Sequence, residues 1–492
     1  MMYIYIDPEQ MNDSKPEVYH YSYLDALKKL TVDDTRILFE YWLAYNLSFT
    51  RAPISLSLLG NDGEYSALKN RREHVSNNNF YNDWIRYADT QFSRRLNSDK
   101  FLDSFREYLE ALIEVNRYAK KNAYCSALSL FDAYIDNFLI NILSAIADSP
   151  IFSSTKYEIV LKKQDTRLLR YHYYPEQAYS QPRREYRKYR IPLLMVYAPI
   201  NRYHILDLAP ERSIVNQFVS GGFDVFLLDW GQQKNNKSTI ADYVNYIDDY
   251  LQEIKKITNS DKVSLFGYSW GGVLSIMYTA LHNNRTIKNL IVHSSQADFD
   301  KDKTTIAEWM RSFPVDKFIE EFGEMHGHMI DLAFLMRNPL LRSFDNVKFA
   351  FDMQKKAGDD KKILYDNMLL RFARDLFRVS IWLHNTPDIQ GEFFKEFAVN
   401  MYQKNLLIKS KIMLDGSTKT IDVKNITVPL LNIVGTEDDL VQAASSIPLN
   451  DLVSSTDKKL IQFPEGHVEL CISSHSHTNL WPKVVAWLQK RS

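Results

Sequence analysis

The stretch Val263 to Tyr278, VSLFGYSWGGVLSIMY, constrains the fold more than any other part of the chain. An apolar run stops at Gly267-Tyr268-Ser269-Trp270-Gly271-Gly272, and a second apolar pattern follows at helical spacing. Val263, Leu265 and Phe266 read as a buried strand; Val273, Leu274, Ile276 and Met277 read as the apolar face of a helix. The join between them is a sharp turn. A serine at the tip of such a turn is held in a strained backbone conformation with its hydroxyl exposed, and the flanking glycines let strand and helix approach without Cβ clashes. The Trp270 N–H then points where an oxyanion forms, near the positive end of the helix. The pattern is a G-x-S-x-G nucleophile elbow in a strand–turn–helix context.

The rest of the chain supplies the sheet that such an elbow needs. YEIVLKK and RLLRYHYY read as two early strands, paired antiparallel. IPLLMVYAP, GFDVFLLDW, DKVSLFGYS, IKNLIVHSS, ITVPLLNIVG and KLIQFPEG read as mostly buried strands, with helical stretches such as TIADYVNYIDDYLQEIKKI between several of them. That alternation predicts an α/β fold with a mostly parallel sheet and helices on both faces. The core is expected over residues 151–299 and 421–492. The interval 300–420 breaks the rhythm: it is rich in Phe, Met, Trp and Leu at helical spacing and shows no clear core strand. A helical cap inserted between two core strands is the economical reading. Residues 1–150 read as a helical domain, with Thr31 and Asp34 as a capping-box start and helical periodicity through Phe101, Phe105, Leu109 and Leu112.

A serine hydroxyl needs a base, and the base needs an orienting acid. The chain order for an elbow of this kind is nucleophile, acid, histidine. After Ser269, the segment NIVGTEDDLV offers Glu437, Asp438 and Asp439 in the loop following a buried strand. FPEGHVEL then sets His467 in a Gly-containing turn after the last strand. The second oxyanion donor is expected in VYAPINRYHILDL, from the backbone of Ile200 or Asn201. His475 and His477 stand at i, i+2 without an apparent third ligand, and His326 and His328 in the expected cap are similarly ambiguous, so no metal is expected.

Composition narrows the class. The 492 residues suggest two or three domains with ample core, and 45% hydrophobic with 25% charged residues is ordinary for a soluble protein. A net charge of −1 gives no reason to expect a nucleic-acid partner. The one dense basic run, Arg183 to Arg190, reads as a solvated linker before a strand, with a patch meeting an anionic substrate as the alternative. Two cysteines, Cys125 and Cys471, exclude a disulfide framework and a multi-cysteine metal site. The N-terminus has neither the basic nor the apolar region of a signal peptide. Asp132, Asp136 and Asn137 interrupt the apolar segment Ser126 to Ala147, which reads as a buried amphipathic helix rather than a membrane span. A cytoplasmic protein is expected.

Two long segments carry a family resemblance. LLMVYAPINRYHILDLAPERSIVNQFVSGGFDVFLLDWG and WLHNTPDIQGEFFKEFAVNMYQKNLLIKSKIMLDGSTKTIDVKNITVPLLNIVGTEDDLV resemble the polyhydroxyalkanoate synthases, particularly the shorter catalytic subunits of the two-component classes. The likeness runs from about residue 157 to the C-terminus. It implies an α/β-hydrolase fold with a cap, and transfer of 3-hydroxyacyl groups from coenzyme A thioesters onto a growing polyester, with the thioester as substrate and no cofactor. In that family the catalytic acid stands just before x-Leu-Val or x-Ile-Val, which selects Asp438, and a histidine in a G-H turn matches His467. The family's nucleophile is a cysteine in G-x-C-x-G-G; here the position is Ser269, with Gly267, Gly271 and Gly272 retained. The family's D-H-L-V appears as Asp438-Asp439-Leu440-Val441.

The resemblance and the elbow together imply an acyltransferase working through Ser269, His467 and Asp438, with Trp270 and Ile200 or Asn201 as oxyanion donors. A serine forms a more stable oxyester than a thiol's thioester, which leaves a serine hydrolase of polyester, ester or thioester bonds as the alternative. An inactive scaffold that binds a partner through its helical domain is the second alternative. The short catalytic subunits of the family depend on a separate helical partner; residues 1–150 are expected to take that role in cis or to form a homodimer surface.

Overall fold

The computed structural model describes residues 155–172, 189–231, 237–282, 285–337, 379, 382–383, 386–414 and 420–492. The helices expected within residues 1–150, and most of the basic run at 183–190, lie outside them. The chain divides into two compact units: residues 1–145, 312–322 and 335–356 form one, and residues 146–311, 323–334 and 357–492 form the other.

The second unit is built on a sheet. β1 (Tyr157–Lys163) and β2 (Thr166–Tyr171) form an antiparallel hairpin, followed by β3 (Leu193–Val196). β4 (Asp207–Ala209) and β5 (Arg212–Ser213) make a small separate ribbon before β6 (Val225–Asp229), β7 (Val263–Tyr268) and β8 (Ile287–His293). β9 (Glu324–Met325) pairs antiparallel with β10 (Ile389–Gln390), and β11 (Ile412–Met413) with β12 (Thr420–Ile421). β13 (Leu430–Gly435) and β14 (Lys458–Phe463) complete the set. Eight of these strands form one sheet in the order β1-β2-β6-β3-β7-β8-β13-β14. Within this sheet β2 runs antiparallel to β6, and the pairings along β6-β3-β7-β8-β13-β14 are all parallel.

The burial of each strand follows from its place. β3, β6, β7 and β13 are buried at every residue, as strands covered by helices on both faces must be. The two edges carry charge instead: Lys162 and Lys163 on β1, Lys458 and Lys459 on β14. Lysines on an edge discourage pairing with another chain. Two buried carboxylates tie β2 to its neighbour: Asp229 binds Arg167, with Nε at 2.7 Å, and Asp224 binds Arg170 at 2.8 and 3.0 Å.

The helix Ile240–Thr258 starts where the sequence marks it, with a capping box between Thr239 and Asp242. Its buried face, including Tyr243, Val244, Ile247, Tyr250, Leu251 and Ile254, keeps the i, i+3, i+4, i+7 spacing. Tyr278 in the helix that follows β7 donates to Asp248 at 2.6 Å and locks the two helices together. Because the core strands are parallel, the loops after β3, β7, β8, β13 and β14 leave the sheet at one edge, where sites in such sheets form. Among the described residues, no helix is long and apolar enough to cross a membrane.

Candidate active site

β7 ends at Tyr268 and the next helix, Trp270–His282, begins two residues later, with Ser269 alone between them. Ser269 has φ of +55°, a left-handed conformation that a residue with a Cβ adopts only under constraint. The constraint is visible. The Ser269 N–H donates to the His293 carbonyl at 2.9 Å, and its carbonyl accepts from Gly272 N–H at 2.9 Å and Val273 N–H at 3.3 Å. A Cβ on Gly271 would lie 2.4 Å from the Tyr197 carbonyl, and one on Gly267 would lie 2.4 Å from the Gly272 Cα. The elbow is therefore pressed against the ends of β3 and β8, and side chains at these glycines would push it away. Among the described residues the Ser269 hydroxyl makes no hydrogen bond.

The acid and base come from the next two loops. His467 Nδ1 lies 2.8 Å from Asp438 Oδ2, and both residues are buried. Asp438 Oδ1 accepts the N–H groups of Leu440 at 2.9 Å and Val441 at 2.7 Å, so the whole carboxylate is fixed in orientation. Its neighbours Glu437 and Asp439 are exposed. The carboxylate on Nδ1 selects the imidazole tautomer whose Nε2 can accept a proton. The His467 ring packs on Tyr268, the residue before the serine, with centroids 5.1 Å apart, and the Tyr268 hydroxyl donates to the His467 carbonyl at 3.4 Å.

His293 lies behind the elbow. It is fully buried, and neither ring nitrogen has a hydrogen-bond partner among the described residues. Burial, and then the charge of nearby His467, hold its pKa well below the usual histidine value, so it is neutral.

Trp270 is the first residue of its helix, so its N–H has no acceptor within that helix. The other oxyanion candidates sit in the loop after β3. Asn201 is buried with φ of +65°, and Ile200 beside it is half-buried. This loop is held by residues that the sequence alone did not single out. Trp382 Nε1 donates to the Arg202 carbonyl at 2.7 Å. The Thr386 hydroxyl contacts both the Asn201 amide and the Asp331 carboxylate. A hydroxyl has one proton to give; donated to Asp331, it leaves the Thr386 oxygen to accept from the Asn201 amide NH₂.

The Trp270 side chain, next to the serine in sequence, is buried in an aromatic cluster. Its indole stacks on Phe397 with centroids 4.0 Å apart, and its Nε1 donates to the Tyr402 hydroxyl at 3.1 Å. Gln296 donates to Tyr402 at 3.4 Å and to the buried carboxylate of Asp302 at 3.0 Å. Burial pushes the Asp302 pKa above the usual carboxylate value and holds the Tyr402 phenol well above its own, so the phenol stays protonated. Phe397 and Tyr402 lie in QGEFFKEFAVNMYQ, a stretch whose aromatic spacing was legible although its target was not.

The remaining candidates lie apart from this cluster. His475 contacts Glu465 at 3.1 Å, and His477 contacts the Cys471 carbonyl at 2.8 Å; burial lowers the His477 pKa to about 4. Neither joins a cluster of three metal-ligating groups among the described residues. Cys471 is free and buried, and burial raises its thiol pKa well above the usual range, which makes it inert.

Comparison with known proteins agrees with this architecture. The family model for the alpha/beta hydrolase fold matches residues 201–468. Curated relatives carry the name poly(3-hydroxyalkanoate) polymerase subunit PhaC. The Haloferax mediterranei protein is 33% identical over 350 residues, 69% of this chain and 64% of the relative. The Haloarcula marismortui protein is 33% identical over 308 residues, 61% of each chain. The Allochromatium vinosum protein is 31% identical over 304 residues, which cover 61% of this chain and 81% of the relative. The match thus spans less than two thirds of the length of the first two relatives and most of the third. With its mostly parallel eight-stranded sheet and these similarities, the chain belongs to the alpha/beta hydrolase fold and, within it, to the family of the poly(3-hydroxyalkanoate) polymerase subunit PhaC.

Proposed function

We propose that the chain is an acyltransferase that moves 3-hydroxyacyl groups from coenzyme A thioesters onto a growing polyester through an acyl-serine. The observation that carries this reading is the buried Asp438–His467 pair, with its 2.8 Å hydrogen bond, at the sheet edge where β7 turns through Ser269. In the first step the Ser269 oxygen attacks the thioester carbonyl, and His467 Nε2 takes the serine proton. The oxyanion is met by the Trp270 N–H and by a second N–H from Ile200 or Asn201. The intermediate collapses, the C–S bond breaks, and His467 returns the proton to the departing coenzyme A thiolate. In the second step the hydroxyl at the end of a chain attacks the acyl-serine, His467 accepts its proton, and the new ester leaves as the serine oxygen is reprotonated. Asp438 holds the imidazolium throughout. No cofactor enters this sequence.

The serine favours a second reading. Ser269 stands where the resemblance implies a cysteine, and an oxyester attacked by water instead of a hydroxyl would make the protein a hydrolase. Purified full-length chain given 3-hydroxybutyryl-coenzyme A separates the two: coenzyme A released in excess over free hydroxy acid, with polymer formed, supports transfer, and one-for-one release supports hydrolysis. A cytoplasmic location, and a helical partner role or homodimer surface for residues 1–150, are parts of the same proposal.

A further inference from the structure

We propose that Glu324, His326 and Asp388 form a divalent-metal site of zinc type at the ribbon of β9 and β10. The pairing of Glu324 with Gln390 and Met325 with Ile389 continues in register to bring His326 opposite Asp388. His326 Nδ1 lies 3.8 Å from Glu324 Oε1 and 3.8 Å from Asp388 Oδ1, and one ligand atom from each of the three lies within 4.8 Å of the others. A point equidistant from three such atoms is about 2.2–2.5 Å from each, against zinc–nitrogen and zinc–oxygen bonds of about 2.0–2.2 Å, so a shift of a few tenths of an ångström completes coordination. One imidazole and two carboxylates favour a transition-metal dication over calcium or magnesium, and zinc binds such donors more tightly than manganese or iron. The three side chains are each between 20% and 35% exposed, which leaves room for water at a fourth position.

The surrounding backbone is closely held. Asp388 Oδ1 accepts the Gly327 N–H at 2.8 Å, which orients the carboxylate. A Cβ on Gly327 would lie 1.9 Å from the Thr386 carbonyl, so the two sides of the ribbon approach as closely as glycine allows. An ion here ties together segments that are far apart in sequence. It sits two residues from Thr386, whose hydroxyl reaches Asn201, and the helix Gly391–Phe397 that starts after β10 supplies Phe397 to the Trp270 stack. The ion would act as a staple for the segment that supports the serine's surroundings.

The test uses the full-length chain stripped with chelator, then titrated with zinc chloride by calorimetry and heated with and without zinc. One equivalent bound and a raised melting temperature are expected. His326→Ala and Asp388→Asn should each weaken binding at least tenfold and abolish the thermal shift, and Glu324→Gln, which preserves shape, should weaken binding in the same direction. His475→Ala, which alters another exposed histidine–carboxylate contact, should bind zinc as the parent does. Circular dichroism of the metal-free variants identifies any that fail to fold; the remaining ones decide the matter. The proposal is overturned by the absence of saturable zinc binding, by parental affinity in the folded ribbon variants, or by loss of binding in His475→Ala alone.

Discussion

Trp382 donates its indole N–H to the Arg202 carbonyl at 2.7 Å, so a residue from the interval between β8 and β13 grips the loop that follows β3. Thr386, four residues on, reaches the side chain of Asn201 in the same loop. On the proposed mechanism this loop supplies the second oxyanion donor, and residues between β8 and β13 help to hold it in place. Thr386→Val keeps the shape and removes the hydroxyl. The variant is expected to lose about ten- to hundredfold in kcat with little change in KM, since a small misplacement of a donor carries that cost. Steady-state kinetics check it; parental kcat would mean that Thr386 does not position the loop.

Asp438→Asn should leave the fold intact while removing the charge that orients His467. The Leu440 and Val441 N–H groups still meet the amide oxygen, but the amide NH₂ then faces Nδ1 and favours the wrong tautomer. A loss of about 10⁴ in kcat is expected, as for other triads. The same substitution at the exposed Asp439 should cost little.

Gly271→Ala tests the elbow's packing. The added methyl would stand 2.4 Å from the Tyr197 carbonyl, where backbone cannot yield as a side chain would. The expected destabilisation is at the upper end of overpacking costs, about 3 kcal/mol or more, read as a lowered urea midpoint. An unchanged midpoint would contradict the close approach of the helix to β3.

Acid should weaken the fold through buried histidines. His293 is neutral in the folded chain, held well below the ordinary value by burial first and by His467 second, and burial lowers His204 and His477 to about 4. An unfolded chain protonates these groups near pH 6.5. It therefore binds more protons than the folded chain below that pH, and their contribution, complete above pH 6.5, is lost as the pH falls toward 4. Each histidine adds a slope of at most about 1.4 kcal/mol per pH unit. Urea midpoints at pH 7.5 and 5.0 should differ, and His293→Leu should reduce the difference; equal midpoints for the parent at both pH values would refute the prediction.

Much of the fold was legible because strands of a doubly covered sheet are continuous apolar runs. Leu193–Val196, Val225–Asp229 and Leu430–Gly435 need no partner to be recognised as such. The elbow was legible because glycine and serine are forced together by one sharp turn. The choice among Glu437, Asp438 and Asp439 was not decided by spacing, since all three follow the same strand; burial and the two N–H bonds single out Asp438. Contacts such as Thr386 with Asn201 left no trace in the sequence, because 185 residues separate the partners and no periodicity spans that distance. The strands β9 and β10 are two residues each, too short for alternation to register.

The most direct measurement is the mass of the acyl-enzyme. Full-length chain incubated briefly with 3-hydroxybutyryl-coenzyme A, quenched in acid and digested, should yield the peptide containing Ser269 heavier by one or more hydroxybutyryl units. Ser269→Ala should show no adduct and no release of coenzyme A above background. An adduct on another residue, or undiminished turnover in Ser269→Ala, would contradict the acyl-serine mechanism.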